Sequence, residues 1–91
     1  MKIYNLHVDP SHAWLQVPLS ELDGFRDQIS KYSYFDSNYA YLEEDCDLGI
    51  FLQHRNIKLN TYNTREIYHE RGWSGKSNLT RFNQLSMKGL N

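Results

Sequence analysis

Lys2-Ile3-Tyr4-Asn5-Leu6-His7-Val8 alternates in character, with Ile3, Asn5 and His7 on one side and Tyr4, Leu6 and Val8 on the other. Period two is the signature of a strand. Asp9-Pro10-Ser11-His12 follows as a turn, because proline fixes its own φ and an aspartate carboxylate can bond the backbone just ahead of it. Ala13-Trp14-Leu15-Gln16-Val17 then reads as a second strand, stopped by Pro18, which has no N–H to give a ladder. A short turn between two such runs predicts a β-hairpin, and the rest of the chain is read outward from it.

Downstream, Ser20 is placed to cap a helix of a turn or two, with Glu21 and Asp23 near its positive end and Gly24 limiting it. Tyr32-Ser33-Tyr34-Phe35 and Tyr39-Ala40-Tyr41-Leu42 flank Asp36-Ser37-Asn38, a second hairpin signal. The clearest helix follows. Glu43, Glu44, Asp45 and Asp47 load its first turn, with Asp45 as the cap. Cys46, Ile50 and Phe51 or Leu52 supply its buried stripe, with Arg55 and Lys58 toward its end and Asn60 as the stop. Thr64–His69 reads as a last strand. Leu79, Phe82 and Leu85 suggest an arm or short helix after the Arg71-Gly72 turn. The order β-β-α-β-β-α-β predicts an α+β fold, a small and mostly antiparallel sheet with helices on one face. Residues 1–70 form the expected single domain. Residues 71–91 form a basic C-terminal segment, either packed on that domain or extending from it as an arm. Trp14, Leu15, Leu42, Ile50, Phe51 and Ile67 are the expected core.

At 91 residues the chain supports one small core and excludes the large nucleotide-binding and barrel folds. Its 40% hydrophobic and 14% aromatic content argues against disorder. The single Cys46 excludes an internal disulfide and suits a reducing cytoplasm. No apolar run approaches the ~20 residues of a membrane span. Met1-Lys2-Ile3-Tyr4-Asn5 runs straight into a strand pattern, so no signal peptide is expected. The formal net charge of −1 hides an asymmetry. Residues 1–47 hold three cations against nine acids, a formal −6, and residues 48–91 hold seven against two, a formal +5. The halves either attract each other within one domain or present opposite surfaces to partners.

The familiar catalytic and metal patterns fail on spacing. Gly75-Lys76-Ser77 ends like a phosphate loop, but the glycine required five residues before Gly75 is Glu70. Asp45-Cys46-Asp47 opens like a calcium loop, but its fifth, sixth and twelfth positions are Gly49, Ile50 and Asn56. Glu43, Glu44 and Asp47 could hold Mg²⁺ or Mn²⁺, yet helix capping explains them better. Carboxylates around Cys46 oppose thiolate formation, so a core thiol is expected there rather than a nucleophile. His7, His12, His54 and His69 lack metal-ligand spacing, and His12, in a turn beside Trp14, is the most interesting of them. No catalytic residue, metal or cofactor is therefore assigned.

Two binding surfaces remain. One is acidic: Glu43, Glu44, Asp45 and Asp47 could imitate phosphates toward a basic protein groove. The other is the tail, where Arg71, Trp73, Lys76, Arg81 and Phe82, with Lys88 peripheral, interleave cations and aromatics as single-stranded nucleic-acid binders do.

The runs His12-Ala13-Trp14-Leu15-Gln16-Val17-Pro18, Tyr32-Ser33-Tyr34 and Tyr41-Leu42-Glu43-Glu44-Asp45-Cys46-Asp47 together resemble a group of short proteins carried by phages and mobile elements of proteobacteria. The resemblance covers roughly residues 3–52 and implies no catalytic residue. It implies a phage or mobile-element setting and no activity. With no catalytic constellation in the sequence, a cytoplasmic, non-enzymatic binding protein with a host protein or ribonucleoprotein complex as partner is expected. By analogy with small accessory proteins of such elements, this would be a stoichiometric inhibitor of a bacterial defence complex, anti-CRISPR-like, acting through the acidic surface. The alternative is a nucleic-acid-binding module that uses the basic aromatic tail. Oligomeric state is left open.

Overall fold

In the computed structural model, which describes residues 2–82, the leading hairpin forms as its alternation predicts. Strand β1 (Tyr4–Val8) pairs antiparallel with β2 (Ala13–Pro18), His7 opposite Trp14. The turn is held by Asp9, whose Oδ1 accepts the N–H groups of Ser11 and His12 at 2.9 Å each. The second hairpin also forms, from β3 (Tyr34–Phe35) and β4 (Tyr39–Glu43), with Asp36 Oδ1 accepting the N–H groups of Asn38 and Tyr39 at 2.8 Å. Strand β4 lies antiparallel to β2, with Leu15 opposite Leu42 and Trp14 opposite Glu43.

After β4 the chain turns into α1 (Leu48–Arg55) and comes back as β5 (Thr64–Tyr68), which adds beside β1 in parallel. Residues Thr80–Arg81 then add β6 beside β3. The sheet order is β5-β1-β2-β4-β3-β6, antiparallel at every pairing except β1–β5. This is a small α+β domain with a mixed six-stranded sheet.

Strand alternation gives the sheet two differently covered faces. Tyr4, Leu15, Val17, Ala40 and Leu42 face α1 and join Phe51, Leu22, Phe25, Ile29 and Phe82 in the main core. Trp14 and Tyr41 point the other way and form a second cluster with Trp73. Trp73 precedes a 3-10 helix, Ser74–Asn78, and lies against this opposite face. The described part of the C-terminal segment is thus a packed strap, and its β6 adds to the edge of the sheet.

Four local expectations are corrected. Only one α-helix occurs among the described residues. The region after Pro18 forms two short 3-10 helices, Leu19–Leu22 and Arg26–Gln28, separated by Gly24 at φ 95°. Ser20 makes no cap there, and Glu21 turns inward to accept the Tyr4 hydroxyl at 2.9 Å and pair with Lys2. Helix α1 begins later than Asp45 and carries no acid in its first turn. It stops at Asn56 rather than Asn60. Asn56 takes the left-handed conformation at φ 54°, and the Ile57 N–H closes back on the Leu52 carbonyl at 2.9 Å.

Of the six expected core residues, Trp14, Leu15, Leu42 and Phe51 are buried. Ile50 and Ile67 are half-buried, and Cys46 is exposed instead of joining the helix stripe. Ile67 sits on β5, at the edge of the sheet. The arm or short helix expected around Leu79, Phe82 and Leu85 is a strand through Arg81, and Leu85 lies outside the described residues.

Candidate functional site

The turn at Asp9, the end of β4 and the strap meet on the second face. Asp9 ties two of them together. Its Oδ2 accepts the Trp73 N–H at 3.4 Å and lies 3.8 Å from Lys76 Nζ. Burial would raise the Asp9 carboxyl, but the N–H groups of His12, Ser11 and Trp73 and the Lys76 charge hold it below the usual carboxylate range. Trp73 is 8% exposed and lies flat on His7, with ring centroids 4.5 Å apart at 7°. A Cβ on residue 75 would stand 2.7 Å from Trp73 Nε1, so the indole can rest there only against a glycine.

Beneath Trp73, His7 Nε2 is 2.8 Å from Gln16 Oε1 and Nδ1 is 3.0 Å from His69 Nε2. The Gln16 oxygen can only accept, so His7 carries its proton on Nε2 and receives one from His69. Burial pushes the His7 pKa down; the Gln16 hydrogen bond opposes this, and the His69 charge adds to it. The unfolded chain then binds the proton more readily than the native state. Stability from this group is therefore complete above the ordinary value of 6.5 and is lost as pH falls from there through the lowered native value. Urea midpoints measured from pH 7.5 to 5 are expected to fall with acidity. His7→Gln is expected to flatten that fall, and an unchanged slope would assign it to other groups.

Glu43 is 5% exposed and organises the neighbouring corner. Its Oε1 accepts the N–H groups of Asp45 at 2.9 Å and Cys46 at 3.1 Å, and its Oε2 lies 3.1 Å from His12 Nδ1. Its own N–H donates to Ser33 Oγ at 2.9 Å. Ser33 donates in turn to Asp47, whose carboxylate also takes the Ser30 N–H at 3.0 Å and the Ser30 hydroxyl at 2.7 Å. Asp47 is 1% exposed. It staples the 30–33 loop to the start of α1 instead of capping the helix.

These constraints leave a cleft of about 380 Å³. Trp14, Tyr32 and Tyr34 line it with rings; His12, Glu43, Asp45 and Cys46 line it from the acidic corner; Lys76 and Arg81 reach it from the strap and β6. Lys76 Nζ sits 4.5 Å from the Trp14 ring centre, and the Arg81 guanidinium sits 5.0 Å from that of Tyr34. Arg81 also donates to the Lys31 carbonyl at 3.0 Å. Partial desolvation and the charges of Glu43, Asp47 and Asp45 push the Cys46 thiol up, which leaves little thiolate at neutral pH.

The two surfaces read from the sequence are therefore rearranged. Of the acidic set, Glu44 and Asp45 are exposed, while Glu43 and Asp47 are buried and hydrogen-bonded; Glu43 faces only the cleft, and Asp47 presents no charge outward. Of the tail set, Arg71 and Arg81 are exposed and Lys76 is half-buried. Trp73 and Phe82 are buried on opposite faces of the sheet, Phe82 against Phe35 at 4.7 Å, and neither offers a ring for base stacking. Lys88 lies outside the described residues. Glu43, Asp45, Lys76 and Arg81, drawn from both sets, meet in one cleft; Glu44, Asp47, Arg71, Trp73 and Phe82 do not line it. Tyr32, Tyr34 and His12 were not read as site residues. The pairing of Trp14 with Glu43 is what carries His12 to the acidic corner.

Comparison with family models found no match, and neither a curated protein nor a solved structure matches the chain. No enzyme relative emerges from those comparisons. Among the described residues, no helix is long and apolar enough to cross a membrane.

Proposed function

We propose that this chain is a small non-enzymatic binding protein of phage or mobile-element origin. Its partner is a host protein or ribonucleoprotein complex in the cytoplasm, and binding blocks a bacterial defence function. The observation that carries the reading is the cleft. It gathers three aromatic rings with charges of both signs, and Tyr32, 53% exposed, stands at it with one side open. Aromatic residues beside satisfied polar groups are the usual anchors of a protein interface. The exposed carboxylates of Glu44 and Asp45 supply the acidic contribution, mainly to association rate and salt sensitivity.

A second reading has its own support. Arg81 over the half-buried Tyr34 ring, with Lys76 lining the same cleft, places two cations beside an accessible aromatic, an arrangement suited to a base and its phosphate in a single strand.

One experiment separates them. The immobilised full chain is exposed to a proteobacterial lysate, with and without nuclease, beside a Tyr32→Ala/Glu44→Lys variant. The protein reading expects one complex captured regardless of nuclease and at least ~10-fold less on the variant, since interface anchors are worth about 2 kcal/mol each. Capture abolished by nuclease would support the nucleic-acid reading. Equal capture by the variant, unaffected by nuclease, would remove the Tyr32 side of the cleft from the protein reading.

A further inference from the structure

We propose that His12, Glu43 and Asp45 bind a divalent cation of the zinc class at the acidic end of the cleft. This goes beyond partner recognition, because it requires no second macromolecule.

One donor atom from each of the three residues lies within 4.8 Å of the other two. His12 Nδ1 and Glu43 Oε2 are 3.1 Å apart. Two ligands on a tetrahedral Zn²⁺ with bonds of ~2.0–2.1 Å are separated by ~3.3 Å, so this pair already has the spacing of one tetrahedral edge. The ion would replace the hydrogen bond between them. Asp45 is exposed and can close the remaining distance by side-chain rotation. Glu43 cannot swing away, because its other oxygen is held by the Asp45 and Cys46 N–H groups. That is the outer support expected of a ligating carboxylate.

The donors come from chain segments 31 residues apart, held together by the pairing of β2 with β4. An imidazole with two carboxylates favours zinc, copper or nickel over calcium or magnesium, which take all-oxygen shells. The cleft leaves room for water at a fourth position. This set differs from the Glu43, Glu44 and Asp47 grouping considered from sequence, since Glu44 lies outside it and the Asp47 carboxylate is committed to Ser30 and Ser33.

The test titrates chelator-stripped full chain with zinc chloride by calorimetry and with Co²⁺ by visible absorption. One equivalent should bind stoichiometrically at micromolar protein, with the intense d–d bands of tetrahedral cobalt. His12→Ala and Asp45→Asn, as direct ligands, should each weaken binding by at least ~10-fold, the lower bound for loss of an outer-shell partner, while His7→Gln leaves it unchanged. Circular dichroism of each variant separates loss of ligand from loss of fold. No binding by the wild-type chain, or binding undiminished in the folded His12→Ala/Asp45→Asn double variant, overturns the proposal. Loss in His7→Gln overturns it too, by moving the ion to the His7–His69 pair. None of these readouts depends on a partner, so failure here leaves the capture result standing, and the reverse also holds.

Discussion

Phe51→Ala is expected to cost about 3–5 kcal/mol of folding stability. Phe51 is the fully buried anchor of α1, at 0% exposure. Its ring meets Tyr4 edge-on at 5.8 Å and Phe25 at 6.5 Å. Leu48, Ile50 and Leu52 are only partly buried, so no neighbour on the helix can take over its packing. Truncation removes the transfer energy of the ring and leaves a cavity between helix and sheet. A domain of this length is stabilised by about 5–14 kcal/mol in all, so the loss is a large share. The melting temperature should fall by roughly 15 °C or more. A fall of only a few degrees, with the native fold kept, would mean that α1 is not anchored through this ring.

Trp73→Ala is expected to have an effect of similar size, about 3–5 kcal/mol, for a different reason. Trp73 holds the strap on the sheet's second face. It stacks on His7 and meets Tyr41 at 5.2 Å and Trp14 at 5.3 Å. Its loss uncovers His7 and Tyr41 and frees the strap residues that bring Lys76 to the cleft. The chain has two tryptophans, so the variant keeps Trp14 as sole reporter. Its emission should shift to the red before urea is added, as the cover over that ring is lost. Unchanged emission with less than ~1 kcal/mol lost would mean that the strap is held by β6 and Asp9 alone.

Where local chemistry decides structure, the sequence was a sufficient guide. Both hairpins follow from alternation and from aspartate turns whose carboxylates bond nearby N–H groups, and both form, though Pro18 pairs with Tyr39 inside β2 instead of stopping it and only Tyr34–Phe35 of the expected Tyr32–Phe35 run is strand. The parallel pairing of β5 with β1 was not legible, because nothing local tells a strand which edge it will join. Acidic residues before α1 looked like caps by position, but Glu43 takes the Asp45 and Cys46 N–H groups and His12, 31 residues away, and Asp47 takes the Ser30–Ser33 loop 14–17 residues away. The strap's two readings, packed cover or extended arm, could not be separated for a related reason. Interleaved cations and aromatics suit a nucleic-acid arm and an amphipathic cover equally, and only the aromatic face of the sheet decides between them. His12 drew attention as an isolated turn histidine. Its carboxylate partners became visible only with the β2–β4 register.

The central claim is that the cleft between the acidic corner and the strap is where this protein meets its partner. A photo-crosslinking phenylalanine at position 32, at the cleft, and another at position 62, on the turn before β5, test it most directly. Both sites carry exposed tyrosines, and Tyr62 lines a different depression. Irradiation in host lysate should join one partner to the chain labelled at 32 and none to the chain labelled at 62. A partner joined at 62 but not at 32 would contradict the claim.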